Sequence, residues 1–229
     1  MSVEGKKAVV TGGSRGIGFQ ICKIFMESGA RVLALSRDVS HLAGASSALQ
    51  GLSTLQADVS LAADVERVVA WVEESWGGLD ILVNNAGILL EPQDKDLMGQ
   101  GDELFFETVR INVFGPYICT KRLFPLLLKS DDPRIVNVGS TSGIMSSGLR
   151  GAYGISKAAL HALTISLANE LGEKVSVNAL SPGWVRTDMA PDGPGDPRTS
   201  AEAALHLIQR PRSVTGKLFH LKSERRWAD

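Results

Sequence analysis

Charge of neither sign prevails in this chain: 24 basic residues face 25 acidic ones, for a formal net charge of −1. That balance leaves no electrostatic footprint for nucleic acid, and no patch suited to anionic lipid stands out. Cysteine is scarce as well. Cys22 and Cys119 are the two present; both stand in helix-like apolar patterns without a CxxC neighbour and read as buried free thiols. The four histidines (His41, His161, His206, His220) are scattered without ligand spacing, so no metal site is expected. Long apolar runs are missing too. The opening stretch MSVEGKKAVVTGG offers nothing long enough for a signal peptide or membrane anchor, which points to a cytoplasmic protein without a membrane partner. The basic tail KSERR, Lys222 to Arg226, includes a glutamate and reads as a solvated face.

What the chain does have is a hydrophobic content of 44% over 229 residues, enough for a sizeable core. Short apolar runs alternate with amphipathic ones. Lys7 to Gly13, Arg31 to Ser36, Asp80 to Gly87, Arg134 to Ser140, Lys174 to Ser181 and Gly216 to Leu221 read as strands, with a weaker candidate at Ser53 to Asp58. Their side chains are apolar in both directions, as in parallel strands covered by helices on both faces. Between them Ile17, Ile21, Ile24 and Phe25 recur at helical spacing, as do Val65, Val68, Val69 and Val72, and then Leu160, Leu163 and Leu167. This order predicts an α/β fold, a doubly wound Rossmann sheet of about seven parallel strands flanked by helices. No linker or repeat interrupts it, so residues 1–229 read as one domain. The stretch rich in Gly, Pro and Asp at 188–198 reads as a mobile substrate-side loop within it.

After the first strand comes TGGSRGIG, Thr11 to Gly18. Its glycines are spaced G-x-x-x-G-x-G, which is neither GxGxxG nor a P-loop. The mechanics are still those of a phosphate cradle. Gly12 can take dihedrals closed to other residues, and Gly16 and Gly18 permit close approach; free amides at a helix start favour a pyrophosphate. A tight turn without a ligand has the same spelling.

Further motifs follow in order: Asp58-Val59, NNAG at Asn84 to Gly87, Asn112 in INVFG, Ser140 in VNVGSTSG, Tyr153-x-x-x-Lys157, and SPGWVRT at Ser181 to Thr187. Together with the glycine turn they resemble the short-chain dehydrogenase/reductase family, across the chain from Thr11 to about Thr187. Each residue has a plainer reading alone: an interface aromatic for Tyr153, an exposed helix residue for Lys157, a turn hydroxyl for Ser140, a backbone tie at a helix kink for Asn112. The resemblance implies a catalytic set of Asn112, Ser140, Tyr153 and Lys157. Reduction of a carbonyl needs a proton donor. Tyrosine suits once an ammonium one helical turn away favours phenolate over its usual pKa of ~10. By the same resemblance Lys157 bonds the nicotinamide ribose, Ser140 holds the substrate oxygen, and Asn112 anchors a water that relays protons to Lys157.

The resemblance also implies a dinucleotide site. Gly12, Ser14, Arg15, Gly16, Ile17 and Gly18 form the pyrophosphate turn. Asp58 and the Val59 amide meet adenine, and Asn85, Ala86 and Gly87 line the adenosine ribose. Thr187 and the Val185 backbone hold the carboxamide, Pro182 and Gly183 shape that turn, and Asn84 ties strands together. The choice of dinucleotide falls on LALSRD, Leu33 to Asp38. In NAD-preferring relatives an acid stands where this chain has Ser36. Serine tolerates a 2′-phosphate, Arg37 offers a planar fork to it, and Arg15 can approach from the glycine turn. Asp38 is one residue too late and is expected to cap the next helix or pair with a surface cation. The implied cofactor is NADP(H).

The chain is similar to carbonyl reductases and other short-loop members in the brevity of the segment after Thr187. The leading expectation is an NADP(H)-dependent enzyme interconverting a small ketone or aldehyde and an alcohol. One alternative is a 3-oxoacyl-thioester (acyl carrier protein) reductase of fatty-acid synthesis; another is a non-catalytic nucleotide sensor or scaffold. The family forms homo-oligomers, dimers or tetramers, and its short-loop members include monomers. Leu89, Leu90, Met98 and Trp184 stand where substrate could lie, though loop residues of this kind more often pack.

Overall fold

Side-chain alternation explains why the strand segments are apolar throughout. In β1 (Lys7–Thr11) Ala8 and Val10 enter the core on one side of the sheet and Val9 the core on the other. In β2 (Arg31–Ser36) Val32 and Ala34 part from Leu33 and Leu35 in the same way. A strand covered on both sides must bury both sets. A computed structural model of the chain describes residues 2–90, 97–144 and 151–221. The other strands are β3 (Ser53–Gln56), β4 (Ile81–Asn84), β5 (Arg134–Val138), β6 (Ser176–Ser181) and β7 (Leu218–His220). They form one parallel sheet in the order β3-β2-β1-β4-β5-β6-β7. Every strand expected from the sequence is present. Most stop short of the expected C-terminal end, because the chain turns out of the sheet there.

One face of the sheet carries α1 (Gly16–Glu27), α2 (Val39–Ala48) and α7 (Pro197–Gln209), with Ile21, Phe25, Leu42, Leu207 and Ile208 in the core beneath them. The other carries α3 (Ala62–Trp76), α5 (Gly115–Leu127) and α6 (Gly151–Leu171) over Val65, Val72, Leu123 and Leu127. A short α4 (Asp102–Val109) leads into a π-helical turn, Arg110–Phe114, ahead of α5. Cys22 and Cys119 are free and buried in opposite cores. Burial pushes both thiols up, Cys119 to about 12. Among the described residues no helix is long and apolar enough to cross a membrane. The basic tail and residues 91–96 of the long loop after β4 lie outside the described residues.

Two local features add detail that the sequence did not show. In α6 the buried side after Leu160 is formed by His161, Thr164 and Ala168, while Leu163 and Leu167 sit at its flank. The cause is Asn137 in β5, whose Nδ2 donates to Thr164 Oγ1 at 2.9 Å; Asn84 Nδ2 in β4 donates in turn to Asn137 Oδ1 at 2.8 Å and to Thr120 Oγ1 at 3.2 Å. Buried amides require partners, and this ladder turns the polar stripe of α6 inward. The segment 188–198 is also more built than its composition suggests. Gly195 bonds back to Trp184 and Arg186, Thr187 and Ala190 pair, and α7 begins at Pro197 with Asp196 capping the Arg198 amide. A Cβ on Gly193 would strike the Val185 backbone, so the fold-back depends on that glycine.

Candidate active site

At the centre of the sheet β1 and β4 are neighbours, but their chains leave it in different directions, which opens a cleft at their C-terminal ends. Gly12 and Gly16 have φ of +64° and +54°, the left-handed region that favours glycine. Asn85 holds the turn: its Nδ2 donates to the carbonyls of Thr11 at 2.9 Å and Gly12 at 3.1 Å. Thr11 Oγ1 accepts the amides of Asn85 and Ala86 at 2.9 and 3.0 Å. A Cβ on Gly18 would strike the Gly12 carbonyl, so α1 could not start this close to the strand with any other residue. The first turn of α1 contains no acidic residue, so its amides and positive end face the cleft unneutralised. Arg15 reaches the other way. Its Nη1 lies 2.8 Å from Asp188 Oδ2, joining the glycine turn to the segment after β6.

The cleft has a volume of about 550 Å³, within the range of pockets that take organic ligands. Its walls include Gly12, Ser14, Arg15, Gly16, Ile17 and Gly18, then Ser36 and Arg37 from the end of β2. Asp58, Val59, Asn85, Ala86 and Gly87 follow, and Tyr153, Lys157, Pro182 and Thr187 complete the expected lining. Gly183 and Val185 shape the turn behind that wall: Gly183 has φ +78° and Val185 bridges to Gly195. At the β2 end, Arg37 Nη1 stands 3.8 Å from Asp58 Oδ2, and Asp58 is fixed from behind by Ser60. Asp38 caps α2, accepting from the His41 amide at 3.0 Å. Bonds from the Ser40 hydroxyl and that amide hold its carboxyl below the usual range. The Asp38 amide donates to Ser36 Oγ at 3.2 Å, which leaves the Ser36 hydroxyl proton free.

Tyr153 and Lys157 occupy one face of α6, a turn apart. Lys157 Nζ donates to the Val138 carbonyl at 2.8 Å and lies 5.7 Å from the centre of the Tyr153 ring. Only 5% of Lys157 is exposed, and burial lowers its pKa to about 8. At neutral pH the folded protein therefore carries an ammonium in a dry site that the unfolded chain would carry in water. Lys157→Met is expected to stabilise the protein by about 1–3 kcal/mol at pH 7 in chemical denaturation, less than the full burial cost because the Val138 carbonyl loses its donor. That gain should shrink as pH rises from 8 to 10.5, where the native lysine is already neutral and the unfolded one is still losing its proton. Destabilisation at pH 7 would refute it.

Asn112 is fully buried in the π turn, where its Oδ1 accepts the Ile88 amide at 2.8 Å. Its Nδ2 donates to the Ile88 carbonyl at 2.9 Å and to Ser156 Oγ at 3.0 Å, and Ser156 bonds the Tyr153 carbonyl. The side chain thus ties the β4 loop to the turn of α6 that bears Tyr153, as the plainer reading of Asn112 had it. It also faces Lys157. A Cβ on Gly87 would come within 3.1 Å of Asn112 Oδ1 and 3.5 Å of Lys157 Nζ, so the bare glycine leaves space between them. Ser140 caps a 3₁₀ turn, Thr141–Gly143, accepting from Ser142 N at 3.1 Å. It is a turn hydroxyl whose proton is uncommitted in that bond. Asn112 and Ser140 stand just behind the cleft surface, beside the lining residues Ile111 and Gly139.

Beyond the expected site residues, His41 also lines the cleft, as do Asp188 and Met189 from the expected substrate-side loop, and His161 packs against Gly139. His161 had a readable signal: it follows Lys157 by four residues on the same helix. Met98 and Trp184 are 92% and 61% exposed, so packing does not explain either. Among the described residues no group of three or more His, Cys, Asp or Glu side chains could hold a metal ion.

Known proteins resemble this chain in sequence and in fold. The sequence profile described as short chain dehydrogenase matches residues 6–195. A Pseudomonas aeruginosa protein named rhamnolipids biosynthesis 3-oxoacyl-(acyl-carrier-protein) reductase is 38% identical over 233 residues, covering 96% of this chain and 90% of the relative. Farnesol dehydrogenase of Aedes aegypti is 36% identical over 200 residues, covering 82% and 80%. Among solved structures, the Pseudomonas aeruginosa RhlG/NADP active-site complex superposes with a TM-score of 0.88 at 33% identity, covering 97% of each chain.

Proposed function

Since this chain belongs to the short-chain dehydrogenase family, we propose that it is an NADP(H)-dependent oxidoreductase interconverting a ketone or aldehyde and the corresponding alcohol. The observation that carries the reading is the Tyr153–Lys157 pair at the cleft, with the lysine ammonium 5.7 Å from the phenol ring. The residues present suit the cofactor: two left-handed glycines, an uncovered helix start, and bare space beside Gly87 that a Cβ would fill. The solved neighbour named above is an NADP complex. Gly12 to Gly18 would hold the pyrophosphate, Asp58 and Val59 the adenine, Asn85 to Gly87 the ribose, and Ser36 with Arg37 the 2′-phosphate. Arg15 is the weaker candidate for that phosphate, being engaged by Asp188. Thr187 and the Val185 backbone would hold the carboxamide, with Pro182 and Gly183 shaping that turn.

When bound, NADPH supplies the hydride. The protein's own part is proton transfer and placement. Ser140 presents its free hydroxyl proton to the substrate oxygen. Tyr153 donates a proton to that oxygen as it becomes an alkoxide. Lys157, as an ammonium, favours the resulting phenolate. Asn112 and Lys157 both border the space beside Gly87, where a water would refill the proton.

A panel of quinones, aldehydes and ketones, followed by loss of NADPH absorbance alongside NADH, tests the reading. Turnover of several carbonyls with NADPH favoured is the expected result; no turnover of any carbonyl would overturn it. A second reading, 3-oxoacyl-thioester reduction, draws support from the name of the 38% identical relative. Acetoacetyl thioesters belong in the same panel, and exclusive activity on them would decide for it.

A further inference from the structure

The face of α6 that carries Tyr153 and Lys157 continues one turn further to His161. This side chain is 5% exposed, and no step described above uses it. Its ring lies so close to Gly139 that a Cβ on that glycine would strike Nε2. Nε2 accepts the Ser140 amide proton at 3.5 Å, while Nδ1 is buried without a well-formed hydrogen bond. A polar ring in a dry interior is costly, and the contact that Nε2 gains here is with the main chain of Ser140. An imidazole nitrogen that accepts a proton carries none, so the neutral ring is the form that fits. Two titratable neighbours bear on it, Lys157 from its own helix and His220 from β7, together with the backbone of Gly143. Burial and then the Lys157 charge keep the ring neutral, with a pKa of about 4; Gly143 opposes this and His220 assists.

Ser140 is accordingly held at two points. Its Oγ accepts the Ser142 amide and its own amide is received by His161. These anchors hold the Ser140 main chain and its Oγ in place and leave the hydroxyl proton available.

We propose that His161 is a positioning residue, whose neutral Nε2 anchors the Ser140 main chain and so aims the Ser140 hydroxyl beside Tyr153. The inference rests on the roles given to Ser140 and Tyr153 under the proposed function. It adds a third member to the Tyr153–Lys157 face of α6, one that acts through Ser140 rather than on substrate.

The test compares His161→Leu, which fills similar space without an acceptor, with His161→Gln, which keeps one, and with Tyr153→Phe as the control. Turnover, KM for the carbonyl substrate, NADPH affinity and melting temperature are measured for each. His161→Leu is expected to lower kcat by ~10- to 100-fold, the scale of a misplaced reacting group. NADPH affinity should stay within about twofold and the melting temperature should be unchanged or higher. His161→Gln should recover a large part of kcat. If His161→Leu keeps kcat, or if the leucine and glutamine variants lose it equally, or if the loss follows NADPH affinity or melting temperature, the positioning role is overturned. An active Tyr153→Phe would overturn the proposed chemistry itself, whereas an inactive Tyr153→Phe beside a fully active His161→Leu removes His161 alone.

Discussion

Tyr153→Phe is expected to lower kcat by about 10²–10⁴-fold, the contribution typical of a positioned general acid, while leaving NADPH affinity nearly unchanged. The substitution removes one oxygen and keeps the ring. The ring is what the Lys157 ammonium faces at 5.7 Å, so the lysine should keep its bond to the Val138 carbonyl. The Ser156 hydroxyl bonds the Tyr153 main-chain carbonyl, so the tie to Asn112 also survives. Loss of turnover with an intact cleft is therefore the signature of missing proton transfer. Stopped or steady-state assays with NADPH, together with fluorescence titration of the coenzyme, separate the two effects. A variant retaining more than a tenth of wild-type kcat would remove Tyr153 from the reacting centre.

The double change Ser36→Asp with Arg37→Ala should move the ratio of kcat/KM for NADPH over NADH by about 10²–10³-fold toward NADH. A hydrogen bond to a charged group contributes about 1.5–3 kcal/mol, each 1.4 kcal/mol is tenfold, and the new carboxylate adds repulsion. The site can accept the change. Ser36 Oγ already receives the Asp38 amide, and an aspartate oxygen can take over that bond. The backbone at Arg37 is held through its carbonyl by Gln56 Nε2 at 3.0 Å, independent of the guanidinium. Arg15 is engaged by Asp188, so it is poorly placed to compensate. An undiminished NADPH preference in the double variant would show that the 2′-phosphate is read by other groups, of which His41, on the same wall, is the first to try.

These expectations drew unevenly on the sequence. The strands were readable because both faces are buried, so Val9 and Val10 are apolar although they enter different cores. The glycine turn, NNAG and the one-turn offset of Tyr153 and Lys157 stand out in the sequence because each is local or one helical turn long. Asp38 was expected to cap the next helix or pair with a surface cation, and it caps α2. Contacts made across long separations left no such trace. Arg15 meets Asp188 across 173 residues, and Asn137 bonds Thr164 on the inward side of α6. Glycine and proline in 188–198 suggested looseness, yet the same residues permit a hydrogen-bonded fold-back. His161 was counted as an unligated histidine when its position relative to Lys157 was the informative fact.

The seam between β1 and β4 carries a kinetic consequence. Lys7 bonds Asp80 across 73 residues of chain, and β2, α2, β3 and α3 all lie between them. No local hairpin can pre-form this junction, since parallel neighbours require a crossover. Closing it means ordering a long loop before the pairing rewards it, the circumstance that slows folding. A chain emerging N-terminus first holds its glycine turn incomplete until Asn85, just past β4, arrives to clasp it. Coenzyme capture therefore tracks completion of the sheet's centre.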